Sequence, residues 1–278
     1  MPDIAHVSDT ALWIAAERAL ESERGDALFH DPLARNLAGE NGFRIQSMMA
    51  QMRASWTVVT RTMVLDELLR VAIASGITCV VNLAAGLDAR PWRLDLPATL
   101  RWIDVDYADL LDYKRVRIAD AKPHCRVENV ALDLADGAAR RAFLERIGKE
   151  ESHVLILTEG LIYYLPAEVV RVFTDDLHAV SSIRLWLMDL MGPEALRMVQ
   201  AAWKKLGVTS TGLVFGPRES TRFFRPWKEL VYRASLAEAC RIGRAPLLMR
   251  ASYMATQLAP RHRREYYDRI SGIALLGR

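Results

Sequence analysis

The stretch Val80-Val-Asn-Leu-Ala-Ala-Gly-Leu-Asp-Ala-Arg90 decides how the rest of the chain reads. Thr78 to Leu83 is an apolar run with β-branched residues, the pattern of a buried strand. It ends in Ala84-Ala85-Gly86, three residues with almost no side chain. Small residues after a strand let a ligand come close to the backbone, and Gly86 can take dihedrals closed to other residues. In an open α/β sheet, ligands bind at the carboxyl ends of the strands.

Outward from this stretch the pattern alternates. Strands are expected near 78–83, 101–106, 125–131, 153–158 and 183–189. Helices are expected near 89–94, 108–120, 137–148, 167–181 and 194–206. Such alternation implies right-handed crossovers and a mostly parallel, doubly wound α/β sheet. Residues 1–76 read as helices only: one from Asp9 or Thr10 to about Glu23, one opened by Asp31-Pro32, one near 44–52, one over 55–75. They form an N-terminal helical cap, and residues 77–278 form the α/β core, in one compact unit. Beyond Gly207 the reading weakens. Residues 221–242 read as a helix interrupted at Pro226, and 247–255 and 270–276 as two final strands.

Composition narrows the class. The 278 residues are 51% hydrophobic, enough for a sizeable core. Net charge is +3, and 31 of the 37 basic residues are arginine. The dense basic run Arg261-His-Arg-Arg264 reads as a solvated helix face, so no nucleic-acid partner is expected. Three scattered cysteines without C-x-x-C spacing suggest neither a disulfide framework nor a metal site. The start of the sequence lacks the pattern of a signal peptide. The uncharged stretch from Val71 to Leu87 is too short and too polar to span a membrane. No membrane partner is expected, and the cytoplasm is the expected location.

Two cofactor classes suit a strand, glycine and helix at such an edge. A dinucleotide wants G-x-G-x-x-G for its pyrophosphate. Here there is one glycine, and Asp88 would bring negative charge to the phosphates. S-adenosylmethionine has no phosphate, and its sulfonium and ammonium tolerate Asp88. The second strand ends in Asp104-Val-Asp106, about 20 residues after Gly86, where an acid accepts bonds from ribose hydroxyls. Alternation puts Asp104 and Asp106 on one face, so either fits. Asp133 and Leu134, after the third strand, suit the adenine amino group and ring. Glu159 leaves an apolar strand and needs a cationic partner there. Tyr163 and Tyr164 then sit where an acceptor or the cation meets an aromatic face. On its apolar helix, Arg61 needs a counter-ion if it points inward, and a carboxylate ligand supplies one.

Together, Asn82-Leu-Ala-Ala-Gly-Leu-Asp-Ala-Arg90, Asp104-Val-Asp106 and Glu159-Gly-Leu-Ile-Tyr-Tyr-Leu-Pro166 resemble the leucine carboxyl methyltransferase family. Thr10-Ala-Leu-Trp-Ile-Ala-Ala-Glu-Arg18 and Asp31-Pro-Leu-Ala34 resemble its bacterial branch, which contains the tetracenomycin-type polyketide O-methyltransferases. The resemblance covers about residues 8 to 190. It implies a class I, Rossmann-like methyltransferase fold that binds S-adenosylmethionine. By position, it implies that Arg61 and Arg18 bind the methionyl carboxylate and that Gly86 lies under the cofactor. It favours Asp106 over Asp104 for the ribose, gives Asp133 and Leu134 to the adenine, and sets Glu159 at the amino-acid end.

Methyl transfer is an in-line displacement served mainly by alignment and exclusion of water. A base is needed only for a protonated acceptor. No histidine falls at a predicted carboxyl strand end, which favours a carboxylate or an acidic hydroxyl; only His6, near the start, is placed to fold over the site. The expected function is therefore O-methylation of a small-molecule acceptor, such as a polyketide or other secondary metabolite. The alternatives are an NAD-dependent oxidoreductase and a non-catalytic S-adenosylmethionine-binding regulator.

Overall fold

The structure is a computed structural model that describes residues 7–52, 54–207 and 212–278, so His6 lies outside it. The strands are β1 (Cys79–Leu83), β2 (Arg101–Asp106), β3 (Arg126–Ala131), β4 (Val154–Thr158), β5 (Ile183–Met191), β6 (Lys228–Ala234) and β7 (Ser271–Gly277). The helices are α1 (Val7–Ser22), α2 (Ala34–Met49), α3 (Ser55–Ala74), α4 (Arg90–Arg93), α5 (Ala108–Arg117) and α6 (Gly137–Glu150). After them come α7 (Ala167–Ala179), α8 (Pro193–Lys205), α9 (Ser235–Arg241), α10 (Leu247–Gln257) and α11 (Arg261–Asp268).

The seven strands form one sheet in the order β3-β2-β1-β4-β5-β7-β6. β1 to β5 pair in parallel, and β7 runs antiparallel between β5 and β6. The order reverses between β1 and β4, the kind of switch point at which such sheets bind ligands.

Every residue of β1 and β4 is buried, as strands covered on both faces require. Alternation sends Val81 and Ile156 to one face, where Phe143, Leu144 and Phe173 of α6 and α7 pack. Val80, Leu155 and Leu187 go to the other, against Val59, Val64, Leu65 and Leu69 of α3. The last of the expected cap helices is thus a wall of the sheet's own core. α1 and α2 pack on each other, and Ala15, Ala16, Leu37 and Ala38 reach Leu87 and Ala89 after β1. The two helices expected around 31–52 are one helix, α2, kinked at Gly39, whose φ is +57°.

The C-terminal third departs from expectation. The stretch 221–242 is not a helix: a short 3₁₀ turn, β6 and α9 occupy it. Pro226 precedes a strand, and Leu-Val-Tyr within β6 carries the branched and aromatic residues that strands favour. The stretch 247–255 is not a strand but α10. Its apolar residues recur at helical spacing, and Pro246 stands just before its first residue. The final expected strand is β7, and it runs antiparallel to β5.

Candidate functional site

The carboxyl ends of the central strands, with α1, α3, α8, α10 and α11, enclose a cavity of about 1390 Å³. Its volume exceeds the usual range of about 300–1,000 Å³ for a single small-ligand pocket. The β1 loop lines it. Ala84 and Gly86 both adopt left-handed conformations, with φ of +56° and +53°. A Cβ on Gly86 would meet only Ala11 at 3.6 Å, so its dihedral rather than space calls for glycine there.

Asp106 clips this loop to the end of β2. One carboxylate oxygen accepts the Gly86 N–H at 2.7 Å and the other the Tyr107 N–H at 2.7 Å. Burial raises its pKa above the ordinary aspartate value, although these two N–H groups pull the other way. Asp106 and Tyr107 face the cavity. Asp104 does not. It is fully buried two residues deeper, bonded to Lys114 Nζ and Trp102 Nε1 at 2.8 Å and to Asn82 Nδ2 at 3.2 Å. Sharing a face with Asp106 does not bring it to the edge, so Asp104 serves the core.

Asp133 and Leu134 line the cavity beyond β3. Asp133 accepts the Ala135 N–H at 2.9 Å. The cap of α6 is Asp136, which accepts from Ala138 and Ala139, so Asp133 has no capping role.

Opposite stands a buried ionic network. Arg61 lies 2.9 Å from Glu159 and 2.9 Å from Asp189. Arg90 meets Glu159 at 2.8 Å, Asp88 at 2.6 Å and Asp66 at 2.7 Å. Arg93 meets Asp66 at 2.6 Å and approaches Asp31 at 3.8 Å. Arg18 closes the series, 2.8 Å from Asp31, with a second nitrogen on the Leu87 carbonyl at 2.7 Å. Arg18 lines the cavity, but with two of its nitrogens so engaged it has fewer donors to spare for a ligand.

The network holds five carboxylates and four guanidiniums, leaving one uncompensated negative charge at the wall. Burial opposes the charge on Glu159 and Asp88, but the adjacent guanidiniums outweigh it, Arg90 foremost, and hold both pKa values below the ordinary range. The Arg61 guanidinium is held ionised by Glu159 and Asp189 despite its burial. Its Nε is near Glu159 but misaligned, and lacks a hydrogen-bond partner among the described residues.

Tyr163 is buried, and its hydroxyl interacts with Asp189. Burial, then Asp189, push its pKa well above that of an ordinary phenol. Tyr164 engages Thr10 of α1 and is raised by burial too. Neither phenol is tuned toward a base at neutral pH. None of the five described histidines lines the cavity.

Sequence reading missed Asp189, Asp66 and Arg93 altogether, and it gave Arg90 no role. Asp189 carried a usable signal: it is a lone acid near the end of the apolar strand Leu185-Trp-Leu-Met-Asp-Leu-Met191, as Glu159 is beyond β4. Asp66 and Arg93 carried none, because helical spacing does not reveal which buried ions meet across a fold.

The remaining wall is apolar. Trp13, Ile14 and Val58 face Met198 and Trp203 of α8 and Met249 and Tyr253 of α10. Trp13 and Trp203 meet edge to face, with ring centroids 6.3 Å apart.

This arrangement has known counterparts. The family described as leucine carboxyl methyltransferase matches residues 11–176. A Streptomyces avermitilis protein named as an S-adenosyl-L-methionine-dependent methyltransferase is 37% identical over 190 residues, 62% of this chain and 65% of its own length. A Streptomyces coelicolor protein of the same description is 36% identical over 58% of this chain and 61% of its own length. The match thus spans less than two thirds of either relative. In fold, a Thermobifida fusca protein described as a methyltransferase superposes with TM-score 0.57 at 15% identity, covering 87% of this chain and 91% of that one. Magnesium protoporphyrin IX methyltransferase from Synechocystis, crystallised with bound SAH, superposes with TM-score 0.51 at 12% identity, covering 88% and 98%. With its class I methyltransferase sheet and a family match over most of its length, the chain belongs to the leucine carboxyl methyltransferase family.

Proposed function

We propose that this protein is an S-adenosylmethionine-dependent O-methyltransferase whose acceptor is a small-molecule carboxylate or acidic hydroxyl, such as a polyketide or other secondary metabolite. The observation that carries the reading is the ionic wall: a buried network with one surplus negative charge, beside an arginine whose Nε lacks an aligned acceptor. S-adenosylmethionine bears a sulfonium, an ammonium and a carboxylate, one net positive charge, and it supplies an electrophilic methyl group. The wall fits that charge, and the Arg61 guanidinium, which lines the cavity, suits the carboxylate.

The other assignments follow from position. Each Asp106 oxygen keeps acceptor capacity beyond its backbone bond, which suits two ribose hydroxyls. Asp133 suits the adenine amino group, and Leu134 its ring. Gly86 lies beneath, and Arg18, through Leu87, steadies the loop. The chemistry asks little else of the chain. A cavity that no histidine lines among the described residues, and in which Tyr163 and Tyr164 are held as neutral phenols, suits an acceptor that arrives ionised. The apolar wall excludes water and aligns the acceptor.

Isothermal titration with S-adenosylmethionine and with NAD tests the donor; binding of NAD alone overturns the proposal. Mass spectrometry of a panel of carboxylic acids and phenols incubated with protein and donor tests the acceptor class. Mass gain confined to amines sinks the O-methylation reading, and retained donor binding with no mass gain in any acceptor favours a regulator.

A further inference from the structure

Helix α10 is built the wrong way round for a helix bordering a cavity. At about 100° per residue, Leu247, Leu248, Ala251, Met254, Ala255 and Leu258 fall within one arc of roughly 120°. That arc faces solvent: Leu247 is 79% exposed, Leu248 85%, Met254 70% and Leu258 90%. The inward side holds Ser252 and Thr256 beside Met249 and Tyr253. No residue of α10 or α11 is buried. A surface helix ordinarily turns its apolar stripe to the core. Four large exposed aliphatic side chains on one arc mark an interaction surface.

The charges around this arc identify the occupant. Arg250 flanks Met254, and Leu258 stands three residues before the exposed Arg261-His-Arg263. Arg250 and Arg263 make no ion pair among the described residues. Between residues 247 and 268, four arginines face two acids. A second copy meeting this face across a two-fold axis would set arginines against arginines. An aliphatic arc fringed by arginine instead suits an interfacial helix on an anionic surface.

We propose that α10 and the first turn of α11 dock this protein on an anionic lipid surface, with the leucines inserted and the arginines at the headgroups. The run Arg261–Arg264, a solvated face by sequence alone, becomes the electrostatic half of that contact. The docked helix is also a wall of the cavity, so an apolar acceptor dissolved in the lipid would meet the site beside its only lipid-facing helix among the described residues.

The test is co-sedimentation of the full chain with phosphatidylglycerol vesicles and with phosphatidylcholine vesicles. The proposal expects binding to the first, loss of it in high salt, and little binding to the second. Leu248→Glu with Leu258→Glu should weaken vesicle binding at least about tenfold while leaving the unfolding midpoint and donor affinity unchanged. Should that variant fail to fold, Arg250→Glu with Arg263→Glu serves instead and should give the same loss. Absence of binding to both vesicles overturns the proposal, as does equal binding to both. A dimer by light scattering that Leu258→Glu dissociates also overturns it, by showing that a second copy covers the arc.

Discussion

The two walls of the cavity are made on opposite plans. The wall at the strand ends is buried, charged and densely bonded: five carboxylates and four arginines hold one another across β1, β4, β5, α1 and α3. The wall made by α8, α10 and α11 mixes Met198, Trp203, Met249 and Tyr253 with Ser252 and Thr256, and its last two helices bury nothing. The first is rigid because removing any ion strands the others. The second is free to differ, since aliphatic packing tolerates exchange. The difference teaches that the strand-end wall is a set of mutually dependent ions, while the helical wall is a looser mix of side chains that can change without disturbing it.

The largest effect should come from breaking the rigid wall. Arg90→Ala leaves Asp88 without its arginine, reduces Asp66 to Arg93 and Glu159 to Arg61, and should cost about 3–5 kcal/mol of stability, read by urea denaturation. A loss below about 1 kcal/mol would show that water already screens the network.

Next comes Asp106→Ala, which should weaken S-adenosylmethionine at least about tenfold by calorimetry, as should Arg61→Ala. Unchanged affinity in both would move the donor site elsewhere.

Acidification separates Asp106 from the carboxylates of the ionic wall. Asp106 has its pKa raised on folding, so its ionised form is lost first as pH falls, from above the ordinary value of 3.8. Glu159 and Asp88 have theirs lowered, so the stability they add is present above their unfolded pKa values and is lost only as pH falls through the lower folded ones. Donor affinity should therefore decline at a pH where circular dichroism still reports a folded protein. Simultaneous loss of both would contradict this order.

On the helical side, the Trp203 indole N–H is buried and has no partner among the described residues. Trp203→Phe should leave donor affinity unchanged and raise the KM of an oxygen-bearing acceptor by about tenfold. If donor affinity fell equally, the two walls would not be separable. The smallest effect concerns Ala84. Its left-handed conformation costs about 1–2 kcal/mol, against about 0.5–1 kcal/mol of added chain entropy for glycine. Ala84→Gly should raise the thermal midpoint by a few degrees at most, and a fall would show that the Ala84 methyl packs more tightly than its dihedral strains.

The contrast between the walls also explains what sequence could reveal. The five parallel strands were legible because strands covered on both faces are continuous apolar runs, and their carboxyl ends carry the polar residues that interrupt them. Gly86, Asp106, Asp133 and Glu159 line one cavity for that reason, and Arg61 of α3 joins them. Asp104 misled because alternation reports a face and not a depth. Arg90 and Asp66 act through partners as distant as Arg90 and Glu159, 69 residues apart, which no local pattern records. The final third misled because the amphipathicity of α10 is inverted, and an apolar stripe says nothing about which side it shows to solvent.

The placement of β7 bears on assembly. It lies between β5 and β6 yet follows both in the chain, with α9, α10 and α11 intervening. Until β7 arrives, β5 and β6 each present an unpaired edge, open to a wrong strand or a neighbouring molecule. The ionic wall needs nothing beyond Asp189, so it can be complete while the sheet is still divided. An arrested chain that has passed β5 but lacks β7 should therefore already hold its nine charges together, and should also be the form most prone to aggregate.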